Sequence, residues 1–290
     1  MKKSRKLATL GICSALFLGL AACQQQHATS EGMNQRQSSS AKVPWKASYT
    51  NLNNQVSTEE VKSLLSAHLD PNSVDAFFNL VNDYNTIVGS TGLSGDFTSF
   101  THTEYDVEKI SHLWNQKKGD FVGTNCRINS YCLLKNSVTI PKLEKNDQLL
   151  FLDNDAIDKG KVFDSQDKEE FDILFSRVPT EATTDVKVHA EKMETFFSQF
   201  QFNEKARMLS VVLHDNLDGE YLFVGHVGVL VPTDDGFLFV EKLTFEEPYQ
   251  AIKFASKEDC YKYLGTKYAD YTGEGLAKPF IMDNDKWVKL

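Results

Sequence analysis

Cys126 combines a nucleophilic side chain with a position that can activate it. It follows Gly123-Thr124-Asn125 and opens a segment, 126–134, with the pattern of a helix. The positive end of the helix dipole favours a thiolate there, and first-turn N–H groups can hold an oxyanion. We expect Asn125, and Tyr249 in the later polar segment 246–250, to line the oxyanion or substrate site. The alternatives are a small apolar core residue for Cys126 and a solvated connection for 246–250.

A predicted β-hairpin supplies a base and a carboxylate. If 232–235 forms its loop, Val231 faces Gly236 and His226 lies directly opposite Glu241. Residues opposed in this way have Cβ atoms about 4.5–5.5 Å apart on one face of the sheet. Glu241 is the only charged residue in the run 236–241. It would orient the imidazole and stabilise the imidazolium, completing a nucleophile–base–acid triad.

Two other interpretations of this hairpin remain open. His226 and Glu241 can form a cross-strand pair that only stabilises the sheet. A register shift of one residue would place Lys242 opposite His226 and remove the carboxylate from the site. In that case His214, at the end of the neighbouring strand, is the alternative base.

The order of these residues resembles the papain-like pattern, closest in outline to the NlpC-type cell-wall peptidases and amidases. Those enzymes carry a helix-start cysteine followed by a strand-borne His-x-Gly, here 226–228. The resemblance implies Cys126 as nucleophile, His226 as base and Glu241 as orienting residue. The chain departs from it with Asn125 where Asp is usual, and with a longer stretch between cysteine and histidine. The whole chain also resembles an uncharacterised family of Gram-positive surface lipoproteins, and membership would assign no activity.

The elements that must position these residues follow from periodicity and capping signals. Apolar spacing predicts a helical N-terminal half packed on a C-terminal antiparallel β-meander, an α+β fold that the resemblance refines to papain-like, NlpC-type architecture. The predicted helices are one capped by Ser57 with Glu60, one opened by Pro71, and 105–117, 126–134, 165–176, 184–200 and one capped by Ser256. The predicted strands are 149–152, 208–213, 221–231, 237–245 and 251–254.

The first residues have the pattern of a targeting signal. A basic segment is followed by about 14 apolar residues, too few for a resident membrane span. The run ends in Leu20-Ala21-Ala22-Cys23, which resembles a bacterial lipobox and implies cleavage before Cys23 and a lipid on its sulfur. The predicted organisation is a signal peptide over 1–22, a lipidated cysteine and flexible tether over 23–44, and one α+β domain over 45–290. The protein would lie on the extracellular face of the cytoplasmic membrane.

Charge and motif content argue against several functions. Without the four basic residues of the leader, 27 Lys and Arg face 40 Asp and Glu, which disfavours nucleic-acid binding. No Gly-rich nucleotide motif and no zinc-ligand spacing is present, and 153–160 is expected to be a solvated loop instead of a calcium loop. Cys132 and Cys260 are expected in the core. A Cys126–Cys132 disulfide would require the helix to be absent.

These patterns predict a surface-anchored cysteine amidase or peptidase without cofactor or metal. Its substrate would be a cell-wall peptide or amide bond, cleaved through a thioester, and we expect a monomer. The alternative is a non-catalytic surface-binding lipoprotein.

Overall fold

One antiparallel sheet organises the protein. The computed structural model describes residues 46–100 and 103–290, and in these residues nine strands join in the order β2-β1-β7-β6-β5-β4-β8-β9, with β3 also paired to β5. The strands are β1 Ala47–Thr50, β2 Thr98–Ser99, β3 Val178–Pro179, β4 Arg207–Asp215, β5 Tyr221–Thr233, β6 Gly236–Lys242, β7 Tyr249–Phe254, β8 Phe280–Asp283 and β9 Lys286–Val288.

Eight α-helices pack on this sheet within the described part of the chain. They are α1 Gln55–Ser66, α2 Pro71–Val88, α3 Val107–Lys118, α4 Cys126–Leu134, α5 Phe151–Gly160, α6 Ser165–Leu174, α7 Val186–Phe197 and α8 Lys257–Lys267. Seven of them precede β4, so the predicted α+β arrangement, with a helical first half and a β-rich second half, is confirmed at that level.

Several helix starts follow their local signals. Pro71 occupies the first position of α2, and Ser256 caps α8 by accepting from the Asp259 N–H. The predicted cap of α1 was wrong by three residues. Asn54 takes that role, and its side chain accepts from the Ser57 N–H at 2.9 Å. Asn is as effective a helix cap as Ser. Asn54 therefore starts the helix three residues before the Ser57-x-x-Glu60 pattern.

The predicted strand at 149–152 is wrong. Gln148–Leu150 is a single 3-10 turn that leads into α5. A four-residue apolar run fits a strand or a buried helical segment equally well. Here Leu150, Ala156 and Ile157 are buried, and Asp153 forms a buried ion pair from the same helix. The expected solvated loop at 153–160 is therefore also wrong.

The two faces of the sheet bury separate cores. A large core lies between the sheet and helices α1 to α7, and a smaller one between the sheet and α8. Along β5, Leu222 and Val224 face the large core, and so do Val227 and Val229. The alternation changes phase because a β-bulge falls at Gly225, where Val211 pairs with His226 and Val212 with Val224. His226, directly after the bulge, lies on the α8 face and pairs with Val211 of the smaller core.

The hairpin register differs from the prediction by two residues. Thr233 pairs with Gly236 and Val231 with Leu238, because the loop consists of only two residues, 234–235. His226 and Glu241 are therefore not directly opposed. A shift of two preserves the face of every side chain, whereas a shift of one would reverse it.

The predicted leader 1–22, the lipidation site Cys23, the tether 23–44 and Trp45 lie outside the described residues. Within 46–100 and 103–290, no helix is both long enough and apolar enough to cross a bilayer.

Candidate active site

Cys126 is the first residue of α4, as predicted. Asn125 caps the helix in an extended conformation, and its side-chain oxygen accepts from the Ile128 N–H at 3.1 Å. Gly123 precedes it with φ of +91°, and a Cβ there would lie 3.2 Å from the Trp114 ring. A larger residue would be strained in this loop, so the Gly-Thr-Asn sequence sets the approach to Cys126.

A buried ion pair fixes the orientation of α4. The Arg127 guanidinium donates to both carboxylate oxygens of Asp153, at 2.9 and 2.7 Å, and to the Val224 carbonyl at 3.0 Å. The Asn125 amide donates to Asp153 at 2.8 Å. Bidentate contacts of this kind impose geometry as well as attraction. Together they connect α4 to α5 and to β5 around the cysteine.

The start of α4 lies where β5 and β6 separate. Their ladder runs from Thr233–Gly236 only as far as Val229–Val240. Beyond that point the Ser130 hydroxyl donates to the Val227 carbonyl at 3.2 Å, and Arg127 occupies the Val224 carbonyl in the same way. Side chains of the helix thus replace the missing strand partner. This separation brings a helix on one face of the sheet to a histidine on the other.

Cys126, His226 and Glu241 meet in this gap. The His226 Nε2 lies 2.5 Å from a Glu241 carboxylate oxygen, and the Cys126 side chain is a hydrogen-bond partner of the same imidazole. Because Nε2 carries the contact to Glu241, Nδ1 is the nitrogen left for the thiol. All three side chains are buried. The arrangement can move a proton from sulfur to imidazole while the carboxylate holds the ring.

The electrostatics of the group favour an ion pair. Burial lowers the pKa of His226, but the Cys126 and Glu241 anions raise it more, so the net shift is upward. Burial raises the pKa of Glu241, but the Lys267 ammonium and the hydrogen bond from His226 outweigh it and bring the pKa to about 2. The imidazolium form is therefore stabilised next to a permanent carboxylate.

Helix α8 completes the surroundings of the pair. The Tyr263 hydroxyl donates to the second Glu241 oxygen, and the Lys267 ammonium lies 3.6 Å from that oxygen. The Tyr268 ring stacks on His226 with centroids 4.8 Å apart and an angle of 23°. These contacts cover the imidazole and leave its ring little freedom to rotate.

Asn125 and Tyr249, the two residues predicted to face the oxyanion or substrate, lie beside the helix start in a hydrogen-bonded network. Both ends of the Asn125 side chain are engaged, one by the cap and one by Asp153. The Tyr249 hydroxyl donates to the Asn129 side-chain oxygen at 3.0 Å and lies 3.4 Å from Thr124 Oγ1. Both residues support the loop before Cys126, and their contact with a substrate stays a prediction.

The other candidates lie elsewhere. His214 has its Nε2 2.6 Å from Glu220, and its Nδ1 accepts from the Ala277 N–H. Cys132 and Cys260 are buried free thiols, as expected for core residues, and burial raises the pKa of Cys132 to about 12. Cys126 and Cys132 form no disulfide, so the alternative pairing is wrong. Among residues 46–100 and 103–290, no cluster of His, Cys, Asp and Glu has the arrangement of a metal site.

Sequence reasoning missed four residues that shape the site. Asp153 was assigned to a solvated loop. Lys242 was considered only as the residue that a one-residue register shift would place opposite His226. Tyr263, on α8, and Tyr268, which directly follows α8, were overlooked. Each of them makes a contact with a residue that is distant in sequence, and no short motif predicts such a contact.

The fold and the site define an α+β protein with a buried cysteine–histidine–glutamate constellation at a helix start. The chain belongs to the family described as Domain of unknown function (DUF4300), whose model matches residues 48–288. No curated protein and no solved structure matches this chain.

Proposed function

We propose that this protein is a papain-like cysteine hydrolase of the cell surface, anchored to the membrane through a lipid on Cys23. The observation that carries the proposal is the contact chain from Cys126 to His226 to Glu241 at the N-terminus of α4. A thiol, an imidazole and a carboxylate in this order are the parts that nucleophilic acyl transfer requires.

The first half of the reaction forms a thioester. His226 accepts the Cys126 proton, and the sulfur attacks the carbonyl carbon of an amide to give a tetrahedral oxyanion. As the oxyanion collapses, the C–N bond breaks and the imidazolium proton passes to the leaving amine. Glu241 keeps the ring oriented and stabilises its positive charge throughout. The positive end of the α4 dipole favours both the thiolate and the oxyanion.

The second half returns the enzyme to its starting state. His226 accepts a proton from water while the water oxygen attacks the thioester carbon. The C–S bond then breaks, a carboxylic acid leaves, and Cys126 regains the proton. We propose peptide or amide bonds of the cell wall as substrates, on the basis of the predicted localisation of the protein at the cell surface.

Alkylation of Cys126 tests the proposal. The soluble body, residues 45–290, is treated with iodoacetamide between pH 4 and 9, and the labelled cysteines are mapped by mass spectrometry. We expect Cys126 to react well below the free-thiol pKa of about 8.5, and His226→Ala to remove that reactivity at low pH. Cys132 and Cys260 are internal controls, because both are buried thiols with raised pKa. A Cys126 that stays inert in the folded protein would contradict the proposal.

A non-catalytic surface-binding protein is the second candidate. The observation that favours it is burial, because Cys126 is 0% and His226 1% exposed. A substrate can reach them only after the side chains that bury them move. In this alternative the constellation is a polar network that stabilises the sheet, and the alkylation experiment gives the inert result.

A further inference from the structure

Lys242 is a buried lysine on the strand that carries Glu241. Successive residues of a strand point to opposite faces, so its side chain enters the large core, away from Glu241. The ammonium donates to the carbonyl oxygens of Thr244 at 2.8 Å and Phe245 at 3.1 Å, and also to that of Glu247. An ammonium has three donors, and all three are satisfied here.

Two aromatic rings complete the environment of this cation. The Lys242 nitrogen lies 4.2 Å from the ring centroid of Tyr84 and 5.3 Å from that of Tyr249. Ring faces attract a cation more strongly when water is absent. Lys242 is only 1% exposed, and an uncompensated ammonium is among the costliest groups to bury. Three carbonyls and two ring faces therefore surround the ammonium and partly compensate for its burial.

The segment that Lys242 holds packs against the loop that leads to Cys126. The Phe245 carbonyl oxygen lies 3.5 Å from the position of a Cβ on Gly123. The Tyr249 hydroxyl, whose ring faces the ammonium, lies 3.4 Å from Thr124 Oγ1. Lys242 thus contacts both Phe245 and Tyr249, the two residues that pack against the loop before Cys126.

The charges around Lys242 connect it to the cysteine. Burial lowers the pKa of Lys242 to about 7, while the Glu246 and Glu247 carboxylates and the Cys126 thiolate act to raise it. The phenols of Tyr84 and Tyr249 remain neutral donors, since burial raises the pKa of each well above 10. Cys126 is the one partner in this set that belongs to the candidate triad.

We propose that Lys242 is a positioning residue of the candidate active site, whose buried ammonium holds the segment 244–247 against the Cys126 loop and stabilises the Cys126 thiolate. This inference rests on the proposed function. His226 would then act as the proton acceptor, and Lys242 would supply a nearby positive charge below its pKa of about 7.

The test compares the pH dependence of Cys126 alkylation in Lys242→Met with that in the parent protein. Met has a similar length and no charge. We expect the midpoint to rise by about one pH unit or more, so that labelling at pH 5 to 6 slows about tenfold. Lys253→Met is the matched control, because Lys253 lies on neighbouring β7 and pairs with Glu60 near the surface. It should leave the profile unchanged.

Two outcomes separate this proposal from the proposed function. If Cys126 is reactive at low pH and depends on His226, but Lys242→Met matches the parent, the role of Lys242 is overturned and the hydrolase proposal stands. If Cys126 of the parent protein is inert, both fail. A purely structural lysine would lower the unfolding free energy without moving the alkylation midpoint, which also overturns the proposal.

A reciprocal measurement covers the case in which Lys242→Met does not fold. Two charges that interact must shift each other's titration. In Cys126→Ser the thiolate is absent, so the pKa of Lys242, followed by NMR of lysine labelled at the ε-carbon, should fall relative to that in the parent. An unchanged Lys242 titration would overturn the proposal without any substitution at Lys242.

Discussion

At the scale of single residues, Glu241 is buried, and its negative charge depends on its hydrogen-bond and ion-pair partners. His226 and Tyr263 hydrogen-bond its two oxygens, and Lys267 adds a nearby positive charge. A buried carboxylate without such partners would be protonated. The same contacts that orient the histidine therefore keep Glu241 ionised.

The His226–Glu241 pair predicts a characteristic pH dependence of stability. Glu241, with its pKa lowered from 4.5 to about 2, stabilises the fold fully above pH 4.5 and loses this effect as the pH falls toward 2. His226, with its pKa raised above 6.5, stabilises fully below pH 6.5 and loses this effect as the pH rises through the raised value. The combined contribution is therefore greatest between pH 4.5 and 6.5.

Glu241→Gln measures this contribution. We expect the free energy of unfolding in urea to fall by about 3–5 kcal/mol between pH 4.5 and 6.5, because a buried ion pair loses one partner. The difference from the parent should shrink at pH 3 and at pH 9. Glu220→Gln is the control, since Glu220 pairs with His214 at a partly exposed position and should cost about 1 kcal/mol or less. A difference that is flat from pH 3 to 9 would refute the ion pair.

At the scale of secondary structure, the start of α4 is a small assembly of its own. Asn125 caps the helix and donates to Asp153, which in turn accepts from Arg127. The helix start is thus attached to α5 and β5 by side chains that leave Cys126 at its tip. We expect the loss of any of these side chains to displace Cys126 in a protein that still folds.

Asn125→Ala tests whether this assembly positions Cys126. The variant loses a cap worth about 1–2 kcal/mol and one donor to a buried carboxylate, so we expect a stability loss of at least about 2 kcal/mol. Cys126 alkylation at pH 5 to 6 should slow in the folded variant. Asp164→Ala removes the cap of α6, where Asp164 accepts from the Gln166 and Asp167 N–H groups. That control should lose stability while Cys126 keeps its reactivity.

Gly228 explains the His-x-Gly spacing in steric terms. A Cβ at this position would lie 2.3 Å from Phe239 Cζ and 2.8 Å from the Val240 carbonyl oxygen. We expect Gly228→Ala to lower the unfolding free energy by about 1–3 kcal/mol through overpacking. Gly273→Ala is a suitable control, because the nearest atom to its Cβ would be Leu276 Cδ1 at 3.6 Å. Equal stabilities of the two variants in urea would contradict the close approach of β5 and β6.

At the scale of the whole molecule, the predicted membrane anchor and the predicted active site are separate in sequence. We expect the cells to attach lipid at Cys23 and nowhere else. Metabolic labelling with an alkyne fatty acid should mark the parent protein, and Cys23→Ala should lose the label and retain residues 1–22 because cleavage follows lipidation. Cys126→Ala is the control and should be labelled normally. A labelled Cys23→Ala protein would place the lipid elsewhere.

Much of the fold follows from local pattern. Pro71, Asn125 and Ser256 mark helix starts that the structure contains, since a cap acts over three residues of the same segment. The hairpin and the shared face of His226 and Glu241 follow from the two-residue period of a strand, which survives an even register shift. The short strands β1, β8 and β9 were missed because three or four residues give too little periodicity to read.

By itself, the sequence determined most of the helices and the long strands, and it predicted a targeting signal and three residues that could form a triad. The tertiary structure decided that the three meet. Their meeting depends on the separation of β5 from β6, into which α4 fits. It also decided that Asp153 and Lys242 are buried charges with full sets of partners. Asp153 pairs with Arg127 and Lys242 faces the Tyr84 ring, and no local pattern encodes contacts between residues so far apart in sequence.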